Sequence, residues 1–317
     1  EHSEDCRIIL LDRGSDPETE QILHEFAEYL GDGAILLRSE RARGFVETIN
    51  LGLERASAPL MIAVRTSTLV TPGWMEPLRE AAQKPDAGVL VPVFQPREGA
   101  FSTRVKGEPP PAETGCGSFA AIGITRPLYE RAGGFDCGMD GDSWCLRDYS
   151  RRAHGAGFRT LSVAGPPVLF REEPAYGSSE RRERLRVESE AIFRARWGED
   201  HAYCLRLPRN IHPEKLSLSF HTMLAGARKG HHFFVLSPGT VFRRILNAGF
   251  HRLHGNITVE RIPALFPSRA VRSACARFRE TYPGGVLLSG MEAVLDVCVG
   301  KGVTFHEVES AFTAAEV

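Results

Sequence analysis

The sequence predicts an α/β fold: a first domain with a mostly parallel sheet, followed by a smaller α/β domain. Two observations predict it. Up to about residue 200, short apolar runs alternate with amphipathic stretches, the pattern of strands followed by helices. After residues 207–213, which hold two prolines and read as a linker, the alternation starts afresh. A break there gives domains 1–206 and 207–317.

The elements follow in order. Residues 7–11 are a largely apolar run and read as a buried strand. Residues 17–30 carry Ile22, Leu23, Phe26 and Leu30 at helical spacing. A strand is expected at 34–38, a helix at 45–56, a strand at 60–64, a helix at 74–82 and a strand at 88–94. Residues 95–114 hold four prolines and few apolar side chains, so they read as a loop or flap. Strand resumes at 119–124, helix at 148–154 and strand at 160–163. Residues 177–200 are strongly charged, with Arg181-Arg182-Glu183-Arg184 inside a helical pattern, and read as a solvated helix. The second domain is expected to hold strands at 216–220, 232–236, 257–262, 286–289 and 303–308. Helices are expected at 222–229, 241–250, 269–281 and 292–299.

Composition narrows the function classes. Hydrophobic residues at 42% and charged residues at 25% describe a soluble globular chain. A net charge of -1 gives no whole-protein attraction to nucleic acid or anionic lipid, so neither is an expected partner. No apolar run reaches the roughly 18 residues needed for a transmembrane segment. The opening Glu1-His2-Ser3-Glu4-Asp5 lacks the pattern of a signal peptide. The seven cysteines are scattered without a C-x-x-C pair and read as reduced packing residues; a cytoplasmic location is expected.

Several motifs stand in a telling order. The first strand closes on Asp12-Arg13-Gly14-Ser15-Asp16. Arg43-Gly44-Phe45 leads into Asn50-Leu51-Gly52-Leu53 and Ala56, and Pro72-Gly73-Trp74 stands behind the strand at 60–64. Gly133-Gly134-Phe135-Asp136 follows, then Asp148, Arg152 and Gly157-Phe158-Arg159, and last Arg194-Ala195-Arg196-Trp197-Gly198. Together, over about 200 residues, they resemble family-2 glycosyltransferases of the GT-A, nucleotide-diphospho-sugar transferase type. The resemblance implies inverting sugar transfer from a nucleotide-sugar donor, most often of UDP type, to a glycan or protein acceptor. It places Asp12, Ser15, Arg43, Arg65 and Ser67 on the donor side, with Asp12 accepting a hydrogen bond from the base. It places Gly134 and Asp136 on the acceptor side. From the residues alone, Asp12 and Ser15 read equally as caps of the following helix.

The sequence also departs from the family. Where the resemblance implies an Asp-x-Asp pair holding Mn or Mg, it has Arg65-Thr66-Ser67, so the metal's ligands are missing and no metal site is assigned. Arg65 offers a cation to pair with a phosphate directly, or is a surface residue of a site that has lost its function. The Glu-Asp pair that supplies the family's general base is Cys145 and Leu146, and leucine cannot accept a proton. Asp140 and Asp142 are the nearby substitutes. The late histidine falls at Phe170-Arg171, and the family's opening strand is missing. Either the sequence is a piece of a longer protein, or the second half supplies that strand in a permuted order, with residues 216–220 the candidate. Three readings remain: an active transferase; a catalytically inactive module that binds a glycan, a nucleotide or a protein partner; or a structural domain of a larger polypeptide with no ligand. The second domain resembles no family. Its histidines (212, 221, 231, 232, 251, 254) fit no standard metal spacing, and Ser237-Pro238-Gly239-Thr240 reads as a phosphate-binding turn or an ordinary one.

Overall fold

A computed structural model describes residues 6–39, 44–96, 110–140, 143–170 and 178–288. The chain divides into two compact units, Glu1–Pro110 with Cys116–Gly198, and Pro111–Gly115 with Glu199–Val317.

The first unit opens with β1 (Ile8–Asp12), α1 (Pro17–Leu30) and β2 (Ala34–Arg38). Asp16 caps α1 by accepting hydrogen bonds from the Glu18 and Thr19 amides, and Pro17 sets the first helical φ. β1 and β2 pair in parallel as a separate two-stranded sheet. α2 (Phe45–Arg55) follows and packs on β1 at Gly52, where a Cβ would come within 2.9 Å of the Leu11 side chain. Its face of Val46, Ile49 and Leu53 is buried. Each such side chain contributes about 1.5–3 kcal/mol on burial.

The rest of the unit is built on a five-stranded sheet. Its elements are β3 (Leu60–Val64), β4 (Thr68–Leu69), α3 (Glu76–Ala82), β5 (Ala87–Pro96), β6 (Ala121–Thr125), α4 (Arg126–Ala132), α5 (Trp144–Gly155), β7 (Arg159–Phe170) and α6 (Ser179–Trp197). The strand order is β3-β6-β5-β7-β4. β5 and β7 run in parallel, while β6 pairs antiparallel with β3 and β5, and β4 with β7. α4, a seven-residue helix, was not expected from the sequence. α6 is laced by Arg186 with Glu183 and Glu190, and by Arg194 with Glu190, as a solvated helix should be. Among the described residues no strand pairs with the second edge of β1 or of β3.

The second unit corrects two expectations. Residues 202–206, expected inside the first domain, form β8 (Ala202–Arg206), which pairs in parallel with the strand at 232–238. The division between units therefore falls after Gly198. Residues 216–220 are not a strand: they lie within α7 (Pro213–Arg228) and cannot replace a missing strand. Leu218, which a strand would bury with Leu216 and Phe220, is 55% exposed, and Ser219 is fully buried.

After α7 come β9 (His232–Pro238), α8 (Gly239–Asn247), β10 (Ile257–Ile262), α9 (Pro267–Thr281) and β11 (Val286–Leu287). The order β10-β9-β8-β11 is parallel throughout, so parallel pairing predominates over the chain. α7 and α8 cover one face with Leu216, Phe220, Val241 and Ile245, and α9 covers the other with Val271, Cys275 and Phe278. This is a doubly wound layer structure. The end of the expected flap at 95–114 belongs here: the Ala112 and Glu113 amides donate to the Arg252 and Leu253 carbonyls, and Glu113 forms a two-bond pair with Arg228, both at 2.7 Å. The helix expected at 292–299 and the strand at 303–308 lie outside the described residues.

Candidate functional site

The candidate site lies where β1 and β3 end. β1 delivers Asp12, which is 3% exposed. Gly14 takes a positive φ of 79°, and the turn brings Ser15 back onto the carboxylate. The Ser15 amide and hydroxyl donate to Asp12 Oδ1 at 2.9 and 2.6 Å. Arg38, the register partner of Asp12 on β2, places Nε 3.8 Å from Oδ2 and also contacts Glu20. Burial pushes the Asp12 carboxyl up, but the Ser15 hydrogen bonds and the Arg38 guanidinium outweigh it and hold it below the ordinary carboxylate range. Asp12 is thus an ionised, oriented acceptor. The helix cap itself is Asp16, so Asp12 and Ser15 shape the turn and do not cap α1.

β3 delivers Arg65. The turn after it is closed by the Thr68 amide donating to the Arg65 carbonyl, while the Arg65 amide donates to Ala120. The Arg65 guanidinium lies 4.5 Å from the centre of the Phe45 ring, and Arg13 approaches the same ring at 5.7 Å. Phe45 meets Phe119 edge-on at 4.9 Å, and Phe119 meets Phe135 at 5.3 Å, so the ring is anchored to the core. Ser67 is half-buried in the same turn. Neither Arg13 nor Phe45 was singled out from the sequence. Both stood inside quoted motifs, Arg13 as the variable residue of Asp-x-Gly-Ser and Phe45 behind Gly44.

Asp140 reaches this site from a distant segment. Its two carboxylate oxygens accept from the Phe45 and Val46 amides, each at 3.0 Å, so it caps α2. A Cβ on Gly44 would stand 2.5 Å from Asp140 Oδ2, so glycine makes room for the carboxylate. Each oxygen retains a further lone pair. Cys145 and Leu146 are both buried in the core. Burial, with the Asp140 charge behind it, pushes the Cys145 thiol up to about 12, so it is a neutral packing group. Arg43 and Asp142 lie outside the described residues.

Gly134 and Asp136 belong to a second constellation. The Asn50 amide brackets Phe135: Nδ2 donates to its carbonyl and Oδ1 accepts from its amide, both at 2.8 Å. A Cβ on Gly134 would meet Asn50 Oδ1 at 2.5 Å. Asp136 accepts from the Gly138 amide at 2.9 Å and from Arg196 at 2.7 Å. Arg196 also binds the fully buried Asp148, which receives Arg152 Nε at 2.7 Å and Trp197 Nε1 at 2.9 Å as well. Arg152 continues to the Ala132 and Gly134 carbonyls. The later motifs thus form one ionic network that fixes the loop at 133–136 against α5 and α6.

Among the described residues, those at the implied metal position do not fit a divalent ion. The position implied for its first ligand holds a guanidinium, and among the described residues no group of three or more His, Cys, Asp or Glu side chains could hold one.

Fold and site together define a class: an α/β domain that gathers a carboxylate and guanidinium groups at strand ends, where open α/β sheets bind ligands. Sequence comparison adds a partial family match. Residues 2–151, just under half of the chain, match the family model described as Glycosyl transferase family 2. No curated protein matches the chain. Among solved structures it is similar to GalNAc-T7 with UDP, GalNAc and Mn2+ (17% identity, 60% of this chain and 44% of that one, TM-score 0.45). It is also similar to the mannosyltransferase PcManGT from Pyrobaculum calidifontis in complex with GDP-Man and Mn2+ (17%, 86% and 66%, TM-score 0.43). A third is S. aureus TarS 1-349 in complex with UDP-GlcNAc (16%, 56% and 54%, TM-score 0.44). The chain spans less than half the length of the first of these and just under two thirds of the second. Among the described residues no helix is long and apolar enough to cross a membrane.

Proposed function

We propose that the first unit binds a nucleotide-diphospho-sugar, of UDP type, and transfers the sugar with inversion to a glycan or protein acceptor without a divalent metal. The observation that carries this reading is the presence of two groups at the ends of β1 and β3. Asp12 is ionised and oriented for a base N–H, and Arg65 is held against Phe45 for a phosphate. In the transfer a carboxylate takes the acceptor hydroxyl's proton as its oxygen attacks the anomeric carbon. The bond from that carbon to the diphosphate oxygen breaks, and the nucleoside diphosphate leaves with the added negative charge facing Arg65. Asp140 or Asp142 is the carboxylate.

One observation favours the second reading, a module that binds without transferring. Both oxygens of Asp140 are already committed to α2, and Cys145 and Leu146 offer no alternative base.

The test is calorimetric titration of the purified chain with UDP, GDP and their sugar conjugates, with and without manganese. Metal-independent binding that is lost in Asp12→Ala is expected. No heat with any nucleotide in either condition would end the donor-site reading. Release of free UDP in the presence of candidate acceptors then separates the transferase from the binding module.

A further inference from the structure

We infer that Arg13 and Arg65 act together, as a guanidinium pair set on the Phe45 ring, to hold the diphosphate of the donor; the inference rests on the donor-site reading above. Three features of the site lead to it.

The first is convergence. Arg13 follows Asp12 at the end of β1, and Arg65 follows Val64 at the end of β3. The two segments are separated by a helix, a strand and another helix, yet both guanidinium groups come to one ring, at 5.7 and 4.5 Å. A diphosphate at that place would meet N–H donors from both guanidinium groups, which the aromatic face helps to hold. The second feature is rigidity. Phe45 is fixed by its edge contact with Phe119, and its own amide is tied to Asp140 at 3.0 Å. The platform therefore keeps its place whether or not a ligand is present, which limits the ordering cost of binding. The third feature is adjacency: Arg13 is the next residue after Asp12, so the proposed base contact and one guanidinium of the pair stand on the same turn after β1.

The pair differs from a metal in chemistry. Guanidinium stays charged throughout the accessible pH range and meets phosphate oxygens through a planar fork of N–H donors. Arg13 is exposed and Arg65 is half-buried. The Arg13 contribution is therefore the more strongly screened by salt.

The experiment compares UDP and UMP by calorimetry on the full chain, for wild type, Arg13→Ala, Arg13→Lys and Arg65→Ala, at 50 and 300 mM salt. Arg13 is exposed, so its replacement is not expected to disturb folding, and circular dichroism checks this. Each alanine variant is expected to lose roughly tenfold to a hundredfold in UDP affinity, the worth of a charge-assisted hydrogen bond. UMP affinity should change much less, and Arg13→Lys should fall between wild type and Arg13→Ala. Wild-type UDP binding that Arg13→Ala leaves unchanged would overturn the pair while leaving the donor site standing. Equal loss of UDP and UMP in Arg13→Ala would overturn it too, because Arg13 would not then be reading the second phosphate. No nucleotide binding by wild type would remove the donor-site reading itself, and the pair with it.

Discussion

Replacing Asp148 tests whether the ionic network holds the first unit together. Three donors converge on this fully buried carboxylate: Arg152 Nε, Arg196 Nη1 and Trp197 Nε1. Asp148→Ala removes the charge and leaves two guanidinium groups facing the space it filled. Breaking a buried ion pair from one side costs about 3–5 kcal/mol. Two facts reduce that here. The Arg152 and Arg196 side chains are 22% and 39% exposed, so water partly rehydrates them. Arg152 also keeps the Ala132 and Gly134 carbonyls, and Arg196 keeps Asp136. We therefore expect a loss of about 2–4 kcal/mol for Asp148→Ala. Asp148→Asn keeps an oxygen for the Trp197 indole and should cost about 1–2 kcal/mol.

Urea unfolding followed by tryptophan fluorescence reads this cleanly. All three tryptophans, at 74, 144 and 197, lie in the first unit, so the second contributes no signal. With a urea dependence of about 1–3 kcal/mol per molar, the alanine variant's midpoint should fall by roughly 1–3 M. An unchanged midpoint, or an asparagine variant weaker than the alanine one, would refute the assignment of the network as the unit's clamp.

Two further predictions concern single carboxylates. For Asp136, burial raises the pKa but the Gly138 amide and Arg196 overcome it, so the native value lies below the ordinary 3.8. A depressed carboxylate stabilises the fold above its unfolded pKa and loses that contribution as pH falls through its native pKa. The urea midpoint should therefore drop as pH is lowered below about 4, and Asp136→Asn should flatten that drop; parallel slopes in the two proteins would contradict the ion pair. Asp140→Asn retains an acceptor for α2 and should keep the midpoint within about 1 kcal/mol of wild type while abolishing sugar transfer, if Asp140 is the base. Full UDP release by this variant would assign the proton transfer elsewhere.

Much of the fold was legible because the local signals agree with the packing. α1 is bounded by Asp16-Pro17 and Gly31, and the helix starts and stops where that punctuation stands. The error at 216–220 shows what happens when two periods coexist. Leu-Ser-Leu-Ser-Phe alternates apolar and polar residues as a half-buried strand does. Yet Leu216, Phe220, Met223 and Ala227 continue the apolar set at intervals of three and four, and Pro213 provides a helical start. Ser219 is tolerated on the buried face because its hydroxyl donates to the Lys215 carbonyl one turn back, at 2.7 Å. The side chain satisfies itself within the helix, and nothing in its identity announces that. β8 was hidden by the opposite effect. Its five residues run directly into Leu207-Pro208, and the linker read at 207–213 left them as the tail of the first domain.

The site divides along the same line, between contacts that are local in sequence and contacts that are not. The turn from Asp12 to Ser15 spans three residues, so its geometry is written in Asp-x-Gly-Ser. The cap that Asp140 places on α2 joins positions 95 and 94 apart, and the sequence offers only an acidic residue in a loop, which is ordinarily solvated. The convergence of Arg13 and Arg65 on Phe45 is of the same kind. Arg65 stood out in the sequence as a cation in place of a metal ligand and Arg13 did not, and only the fold sets them on one ring. The departures from the family pattern therefore read differently once the chain is folded. Leu146 and Cys145 have gone into the core, where they pack with Tyr149 and Ile122. Arg65 has not gone to bulk solvent; it lies half-buried against the Phe45 ring that Arg13 also approaches. A site that had merely decayed would have no reason to hold two guanidinium groups against one ring at the end of two separate strands. The proposal of nucleotide binding rests on that arrangement, and within it transfer depends on a proton acceptor, for which Asp140 and Asp142 are the candidates.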